Sequence, residues 1–477
     1  MRFSPRRCLL AILLCLVVCV LLGIYLAKEE EVNQGHVQKH AERLYEEGIL
    51  LQKLKPAPIF HHGSSDKRDS DQGNKILSSK QRVVPSMIKN VVQIPMVVDN
   101  ATLRRLKQQY PVTSKQIPCY NVHIFYYTWY GNPQMDDKYY HWDHPFLPHW
   151  NKKEKVKWRL GRHEPPEDIG SNFYPKLGPY SSMDRDVIAQ HLVQMRAASI
   201  GVLSLSWYPP NLSDDQGKPT DSLVPVVLDI ANVYDIRVNF HIEPYKDRNP
   251  RTVRENIQYI LDNYGGHPAF YRRRHKGRLL PVFYIYDSYT ISADDWGTIL
   301  KPQGLNTVRN TDLDGLFIGL LVDKQHEVDI VSGGFDGFYT YFASNRFTFG
   351  SSWGNWPHLA TFARARDLLF VPSVGPGYID TEVRPWNGAN TKSRDRGRYY
   401  ENGFKAAIGT TPSIITITSF NEWHEGSQIE PAVIKKRGKE NYLNYTPGRP
   451  EYYLDLTQKF VKRFEQQKTG GLAKIHA

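Results

Sequence analysis

Two glutamates near the C-terminus, Glu422 and Glu425, are the strongest candidates for chemistry in this sequence. They stand in ITITSFNEWHEGSQIEP, residues 415–431, where a β-branched run typical of a buried strand ends in carboxylates. If the chain turns helically after the strand, this spacing puts both side chains on one side, within the ~5–6 Å that such neighbours share. Paired carboxylates suit glycoside hydrolysis, in which one acid donates a proton and the other is base or nucleophile. Spacing alone leaves open that they cap a helix or pair with lysines.

The stretch that carries this pair is the last of eight predicted strands. From residue 120 onward, short β-branched and aromatic runs recur, and many of the intervals between them have helical periodicity. The predicted strands are residues 121–129, 201–208, 237–245, 281–288, 315–322, 337–343, 368–375 and 413–423. Near-continuous apolar strands alternating with helices predict an α/β protein with a (β/α)8 TIM barrel. The alternative, an open doubly wound sheet, is less favoured because no glycine-rich phosphate loop follows the first strand.

Polar and aromatic residues recur at the C-terminal ends of the predicted strands, where a barrel enzyme has its active site. A single tyrosine at a strand end is usually a packed ring, but repetition around the barrel indicates a cleft. An elaborated loop, residues 130–184, follows the first strand and is expected to lie over this end. The candidates for substrate contact are Tyr126, Tyr127, Trp207, His241, Glu243, Tyr286, Tyr339, Tyr341, Trp423 and His424.

Composition and motif spacing exclude several other functions. The formal net charge is +12, but lysines and arginines are spread along the chain without a nucleic-acid-binding motif, so no nucleic acid partner is expected. His241, Glu243, Asp287 and His424 lack the spacing of HExxH or a comparable ligand set, so we expect no metal. No cofactor is expected either. Glu430, beside the acid pair, is expected to stabilise a helix or loop.

The N-terminal residues predict a membrane anchor. Residues 8–27, CLLAILLCLVVCVLLGIYLA, are uncharged and match the ~20 residues that a membrane span needs. Arginines precede this stretch and KEEE follows it, so residues 1–7 are expected to be cytoplasmic and the rest of the chain translocated. A cleaved signal peptide is the alternative, but its apolar region is usually shorter, about 7–15 residues. The polar residues 28–118 predict a lumenal stem, and Cys119 is the only cysteine beyond the span.

Several blocks between residues 120 and 460 occur in the order known from one enzyme family. They are FYYTWYGNP (125–133), HWDHP (141–145), LSWYPP (205–210), FHIEPY (240–245), FYIYDSY (283–289), PSVGPGYIDT (372–381), RPWN (384–387) and ITSFNEWHEGSQIE (417–430). Through these blocks the chain resembles glycoside hydrolase family 99. The resemblance implies a catalytic (β/α)8 domain, placed at residues 119–466, and a C-terminal tail of residues 467–477. A paralogue within the family has the same blocks.

The resemblance also implies an activity. It implies that the protein cuts glucosylated high-mannose N-glycans internally at an α-1,2 bond, releases Glc1–3Man with retention, and is anchored in the Golgi membrane. By position in NEWHEG, Glu422 is similar to the family's general base, which deprotonates a sugar 2-hydroxyl to give a 1,2-anhydro sugar. Glu425 is similar to the general acid, which later acts as base for water. The alternative is a non-catalytic Golgi lectin for the same glycans, against which the presence of both glutamates argues.

Overall fold

The computed structural model describes residues 97–113, 115–438 and 440–475. The predicted cytoplasmic tail, the predicted span at residues 8–27 and most of the predicted stem lie outside them, so these remain predictions. Within the described part of the chain, no helix has both the length and the apolar character needed to span a bilayer.

The strands of the described residues fall into one large sheet and two small ones. In chain order they are β1 (Cys119–Tyr126), β2 (Tyr174–Pro175), β3 (Ile200–Trp207), β4 (Arg237–Ile242), β5 (Arg272–His275), β6 (Arg278–Ile285), β7 (Leu316–Leu320), β8 (Gly337–Tyr339), β9 (Leu369–Val371), β10 (Ser373–Val374), β11 (Ile415–Ile417), β12 (Ala432–Val433), β13 (Lys436–Arg437) and β14 (Glu440–Asn441).

The large sheet is a parallel, nearly closed barrel. Its strand order is β10-β11-β1-β3-β4-β6-β7-β8-β9, and every neighbouring pair in this order is parallel. β9 and β10 are the two halves of the predicted strand 368–375, which Pro372 interrupts because proline has no N–H to donate to the ladder. The arrangement agrees with the predicted (β/α)8 barrel, and each of the eight predicted strands contributes to it.

One helix precedes the barrel strands along the chain, and the others alternate with them or follow them. In chain order the helices are α1 (Asn100–Gln109), α2 (Lys152–Lys155), α3 (Arg185–Ala197), α4 (Val224–Val233), α5 (Pro250–Tyr264), α6 (Ala293–Leu300), α7 (His326–Gly333), α8 (Trp356–Ala365), α9 (Arg398–Gly409) and α10 (Tyr452–Ile475). α5 illustrates why they form where they do. Asn249 and Thr252 make a reciprocal capping box, and Pro250 occupies the first turn, where its missing N–H costs no hydrogen bond.

The end of the predicted stem is folded onto the barrel. Leu103 and Leu106 of α1 are buried, and the Leu106 carbonyl accepts a hydrogen bond from the hydroxyl of Tyr234. Just before α1, the backbone N–H groups of Val97 and Val98 donate to the buried carboxylate of Asp229 in α4, each at 2.7 Å. The stem predicted for residues 28–118 therefore includes a packed segment. Sequence analysis missed it because the two buried leucines stand in a largely polar helix.

An antiparallel hairpin formed by β5 and β6 lies at the N-terminal end of the barrel. Its turn residues Lys276 and Gly277 have φ of +46° and +79°, the positive values of a type I′ turn. A cavity of about 590 Å³ beside the hairpin is lined by arginines, including Arg237 and Arg273. It lies at the opposite end of the strands from the predicted catalytic residues, and no carboxylate lines it.

Candidate active site

The catalytic candidates lie on a tight turn beyond β11. The last strand is shorter than the predicted 413–423, since its ladder ends at Ile417. The following residues turn back, with the Gly426 N–H donating to the Trp423 carbonyl at 3.2 Å. Gly426 has a φ of +58°, and a Cβ there would lie 2.7 Å from the carbonyl oxygen of Ile379. Glycine is therefore required, and the turn brings Glu422 and Glu425 to one end of the barrel.

Two side chains tie this turn to the segment that follows β1. The amide of Asn421 accepts from the Tyr127 N–H at 2.9 Å and donates to the Tyr127 carbonyl at 2.8 Å. The hydroxyl of Tyr130 donates to the Asn421 carbonyl at 2.8 Å and accepts from the Trp423 N–H at 3.2 Å. These bonds continue the pairing of β1 with β11 past the end of the ladder, so the turn is held by the barrel itself.

Glu430 supports the turn from behind and is fully buried. Its carboxylate accepts from the Tyr180 hydroxyl at 2.8 Å and from the indole N–H of Trp423 at 3.0 Å. The His191 ring nitrogen lies 3.2 Å from the other oxygen, and His191 in turn contacts the Tyr126 hydroxyl at 2.9 Å. Glu430 was expected only to stabilise a helix or loop. The structure makes it the common acceptor of three side chains beneath the catalytic turn.

Replacing Glu430 with alanine leaves three buried donors without this acceptor. The free energy of unfolding is expected to fall by on the order of 3–5 kcal/mol, the usual cost of removing one partner from a buried charged network. Glu430→Gln keeps one acceptor oxygen and is expected to lose less. Calorimetry of both variants measures this, and unchanged melting temperatures would show that the carboxylate does not hold the turn.

Glu422 is almost completely enclosed, with 4% of its surface exposed. One carboxylate oxygen accepts the backbone N–H of His424 at 3.0 Å, and the Glu422 N–H donates to the Ser419 hydroxyl at 2.8 Å. Burial and the neighbouring carboxylate of Glu425 raise the pKa of Glu422 well above its ordinary value, while the bond from His424 opposes this rise. The carboxylate is thus fixed in direction by the turn.

Glu425 is half-buried and faces a different set of charges. Burial raises the pKa of Glu425 to about 7, the Arg384 guanidinium opposes this rise, and the carboxylates of Asp380 and Glu243 add to it. Arg384 is itself held 3.2 Å from Asp380. Because two carboxylates in one buried site resist ionising together, Glu422 and Glu425 are expected to carry a single proton between them near neutral pH. Backbone N–H groups of His424 and Glu425 stabilise the anionic form of Glu422, while the Arg384 guanidinium stabilises that of Glu425, so the pair shares the proton.

Six of the predicted contact residues form one connected cluster beside this pair. The His241 ring donates to or accepts from the Tyr339 hydroxyl at 2.7 Å, and its other nitrogen lies 3.2 Å from the Glu243 carboxylate. The Tyr341 ring stacks on His241, with centroids 5.6 Å apart and planes at 15°. Tyr286 packs edge-on against Tyr341 at 4.8 Å. The hydroxyls of Tyr341 and Tyr127 are hydrogen-bonded to each other, which completes the cluster.

Three predicted contact residues lie outside the cleft. Trp207 is fully buried, and its indole N–H donates to Asp221 at 2.7 Å on the helix side of the barrel wall. Tyr126 contacts His191 of α3, and Trp423 donates to Glu430. Adjacent residues of a strand face opposite sides of the sheet, so Tyr126 points outward while its neighbour Tyr127 reaches the cleft. None of the three side chains is placed to stack on a sugar.

Replacing Trp207 with phenylalanine is therefore expected to affect stability and not substrate binding. Loss of the indole and of its bond to Asp221 is expected to lower the free energy of unfolding by about 1–3 kcal/mol, with KM unchanged. Trp129→Phe is the matched comparison, because the Trp129 ring stacks on Tyr127 with centroids 4.5 Å apart. This replacement is expected to change KM. Measured KM and melting temperature separate the two residues. A raised KM with unchanged stability in Trp207→Phe would show that Trp207 contacts the substrate.

His424, the tenth predicted contact residue, is held in the site by contacts of its backbone and of its ring. Beyond its N–H bond to Glu422, its Nδ1 lies 2.7 Å from the carbonyl oxygen of Gly170. Other residues near the carboxylates were not among the predicted contacts, including Trp129, His141, Asp380 and Arg384. They lie in irregular loops, where no periodicity marks a facing side. Their signal was membership of the blocks FYYTWYGNP, HWDHP, PSVGPGYIDT and RPWN.

A group of metal-ligand residue types lies apart from the acid pair. His163, Asp168 and Glu382 have ligand atoms within 4.8 Å of one another. The Arg437 guanidinium lies 2.7 Å from Glu382 and 3.6 Å from Asp168. A cation already neutralises these carboxylates, so the group is an ion-pair network.

Comparison with known proteins identifies the family. The family model described as Glycosyl hydrolase family 99 matches residues 119–466, which include the barrel and both glutamates. The chain belongs to glycosyl hydrolase family 99. Within the family, it is 45% identical over 472 residues to the glycoprotein endo-alpha-1,2-mannosidase of Xenopus laevis, covering 98% of each chain.

Two further family 99 proteins match the catalytic part. The glycoprotein endo-alpha-1,2-mannosidase-like protein of Homo sapiens is 53% identical over 349 residues, which is 73% of this chain and 76% of that protein. The solved structure of a GH99 endo-alpha-mannosidase from Bacteroides thetaiotaomicron superposes with a TM-score of 0.67 at 47% identity. That alignment covers 72% of this chain and 98% of the bacterial one. The chain is thus a family 99 glycoside hydrolase by sequence and fold.

Proposed function

We propose that the protein is a Golgi endo-α-1,2-mannosidase that cuts glucosylated high-mannose N-glycans internally and releases Glc1–3Man with retention. The observation that carries the proposal is the enclosure of Glu422 beside Glu425 in one buried site, where burial raises the pKa of Glu425 to about 7. An acid with such a pKa holds its proton at the slightly acidic to neutral pH at which a general acid must work. The similarity to the glycoprotein endo-alpha-1,2-mannosidase of Xenopus laevis supports the choice of bond.

In the first step of the proposed reaction, Glu422 removes the proton of the 2-hydroxyl of the glucose-bearing mannose. The freed oxygen attacks C1 of the same ring while the bond from C1 to the departing oxygen breaks. Glu425 gives its proton to that oxygen, which leaves as a hydroxyl of the next mannose. The product is a 1,2-anhydro sugar. A base is needed because a sugar hydroxyl is a weak acid, and it must lie within hydrogen-bond reach of that proton.

In the second step, the Glu425 carboxylate removes a proton from water, and the water oxygen attacks C1. The C1–O2 bond breaks, and O2 recovers its proton from Glu422. Both carboxyl groups return to their starting protonation states. C1 is inverted twice, so its configuration is retained overall. This scheme changes the usual two-carboxylate mechanism by using the substrate's own hydroxyl as nucleophile.

The ring cluster beside the acids is proposed to bind the sugar. Its hydroxyls and the Glu243 carboxylate present donors and acceptors to the hydroxyls of a mannose ring. One Glu243 oxygen accepts from the Ser206 hydroxyl at 2.7 Å, and no described residue hydrogen-bonds the other. That second oxygen is the proposed partner for a sugar hydroxyl. Tyr286 and Tyr341 are proposed to orient the mannose ring above Glu422 and Glu425.

The proposed location is the Golgi lumen, with residues 8–27 as a type II anchor. A lumenal domain would carry glycans at exposed sequons, and Asn211 is such a residue, exposed on the loop after β3. Expression of the full chain, followed by glycosidase digestion, tests this orientation. A mobility shift that Asn211→Gln reduces supports it, whereas an unglycosylated chain would argue for the opposite orientation.

The direct test is incubation of the full-length protein with a monoglucosylated high-mannose glycan. Release of a glucosyl-mannose disaccharide, with the α anomer formed first, is the expected result. The matched control is the same glycan without glucose. Binding without any cleavage would favour the lectin alternative, and release of single mannose residues would contradict endo action.

A further inference from the structure

Three side chains from separate loops form a line that ends at the catalytic turn. Asp214 lies in the loop between β3 and α4, His141 in the loop after β1, and His424 between the two catalytic glutamates. The Asp214 carboxylate lies 2.8 Å from Nε2 of His141, and Nδ1 of His141 lies 3.1 Å from Nε2 of His424. The line is buried, since the side chains of His141 and Asp214 expose only 3% and 12% of their surface.

The partners of each ring nitrogen determine where the protons are. Nδ1 of His424 faces the Gly170 carbonyl at 2.7 Å, and a carbonyl only accepts, so this nitrogen carries a proton. Burial, followed by the charges of nearby histidines, lowers the pKa of His424 well below its ordinary value, so its Nε2 is unprotonated. Nδ1 of His141 must therefore donate to it. Nε2 of His141 faces a carboxylate and must be protonated as well, which makes His141 an imidazolium ion.

The surroundings of His141 fit a charged ring. The indole of Trp129 stacks on it in parallel, with centroids 4.5 Å apart and planes at 7°. An aromatic face attracts a cation, and this attraction grows when the pair is shielded from water. The N–H of His141 is not aimed straight at Asp214, so their contact is an ion pair rather than a linear hydrogen bond. The third nearby ring, His144, is neutral, because burial lowers the pKa of His144 to about 3.

We propose that Asp214 and His141 are positioning residues for Glu422, acting through His424. Asp214 keeps His141 charged, His141 donates to His424, and both ring nitrogens of His424 are thereby fixed. The backbone N–H of His424, whose hydrogen bond to Glu422 is 3.0 Å long, is then held in place. The loop between β3 and α4 is in this way tied to the carboxylate that acts as base. The inference deepens the proposed function and rests on it for the role of Glu422.

The kinetic test compares Asp214→Asn, His141→Gln and the double variant. Each single change is expected to lower kcat by about 10–100-fold with KM changed much less, because small misplacement of a catalytic group is costly. If the two residues act as one unit, the double variant loses no more than His141→Gln alone. Losses that multiply, or a kcat unchanged in Asp214→Asn, would overturn the proposal. His267→Gln is the matched control, a buried histidine 3.1 Å from Asp229 and remote from the site.

A spectroscopic test does not depend on activity. Nitrogen resonances of isotope-labelled histidine in the full-length protein are expected to show His141 doubly protonated and His424 neutral with its proton on Nδ1, assigned through the His141→Gln spectrum. In Asp214→Asn, His141 is expected to become neutral. A neutral His141 in the unsubstituted protein would refute the proposal even if the enzyme is active. The expected pattern in a protein that cleaves no glycan would instead refute the proposed function alone.

Discussion

Replacing Glu422 with glutamine is expected to reduce turnover by at least about 10³-fold on the natural glycan and on substrates with activated leaving groups. The proposed nucleophile is the substrate's 2-hydroxyl, which must lose its proton whatever the leaving group. Glutamine cannot take that proton. Its side-chain carbonyl can still accept the His424 N–H, a bond of 3.0 Å in the unsubstituted protein, so the turn is expected to survive. Initial rates on a glucosylated glycan and on a glycosyl fluoride measure the loss.

Retained structure is the control for this result. Because burial disfavours the charged form of Glu422, a neutral isostere is expected to leave the melting temperature unchanged or raise it. Binding of the uncleaved glycan to the variant should persist. Substantial rescue by the glycosyl fluoride would contradict the assignment, because it would mean that Glu422 serves the leaving group and that the two glutamates have exchanged roles.

The barrel was predictable from sequence because its strands are buried on both faces. Each of the eight apolar runs became a barrel strand, although several ladders are shorter than predicted, as β11 (Ile415–Ile417) is compared with 413–423. The apolar run predicts burial, and it extends beyond the few residues that pair in the hydrogen-bonded ladder. The β5–β6 hairpin was missed because RRRH, residues 272–275, has little of the apolar character on which strand prediction depends. The packing of α1 was missed for a similar reason.

The candidate site was predictable only in part, because sequence does not show which face of a strand a residue occupies. In a parallel barrel both faces are covered, so a central strand lacks the polar alternation that would mark its interior side. Phe125 and Ser206 face the interior, where they meet His241 and Glu243 respectively, while Tyr126 and Trp207 face the helices. Sequence therefore located the residues near the strand ends but not the side of the sheet that Tyr126 and Trp207 face.

Loop residues of the site could not be predicted by any periodic pattern. Asp380 and Arg384 reach Glu425 from the segment after β10, and His141 reaches His424 from the long loop after β1. Their positions depend on tertiary contacts such as the Ile379 N–H donating to the Glu425 carbonyl at 2.8 Å. Resemblance to a family marked the blocks in which these residues stand, but only the structure shows which of their side chains meet the acids.

Replacing Glu425 with glutamine is expected to give a different pattern from Glu422→Gln. Turnover of the natural glycan should fall by about 10²–10⁴-fold, because the departing mannose oxygen needs a proton that glutamine cannot supply. A glycosyl fluoride needs no such proton, so the variant should keep a substantial part of its activity on that substrate. Equal losses on the two substrates would contradict the role of Glu425 as general acid.

The pH profile supplies a second signature of this role. The active form of the pair has one proton, so activity on the glycan should fall as pH rises past about 7, the pKa to which burial raises Glu425. On the acidic side, activity should fall when Glu422 is protonated as well. In Glu425→Gln assayed with the fluoride, the alkaline fall should disappear and the acidic fall should remain. An alkaline fall that persists in the variant would assign it to another group.

Stability should change with pH in a way that separates loss of chemistry from loss of fold. Glu425 has its pKa raised from 4.5 to about 7 in the folded protein, so between these values the folded state binds more protons than the unfolded state. The contribution of this group to stability therefore declines as pH rises through that window, by on the order of 1–3 kcal/mol. Glutamine does not titrate. Glu425→Gln should consequently match the unsubstituted protein in stability near pH 4.5 and exceed it at pH 8, where its activity on the glycan is lost for chemical reasons alone.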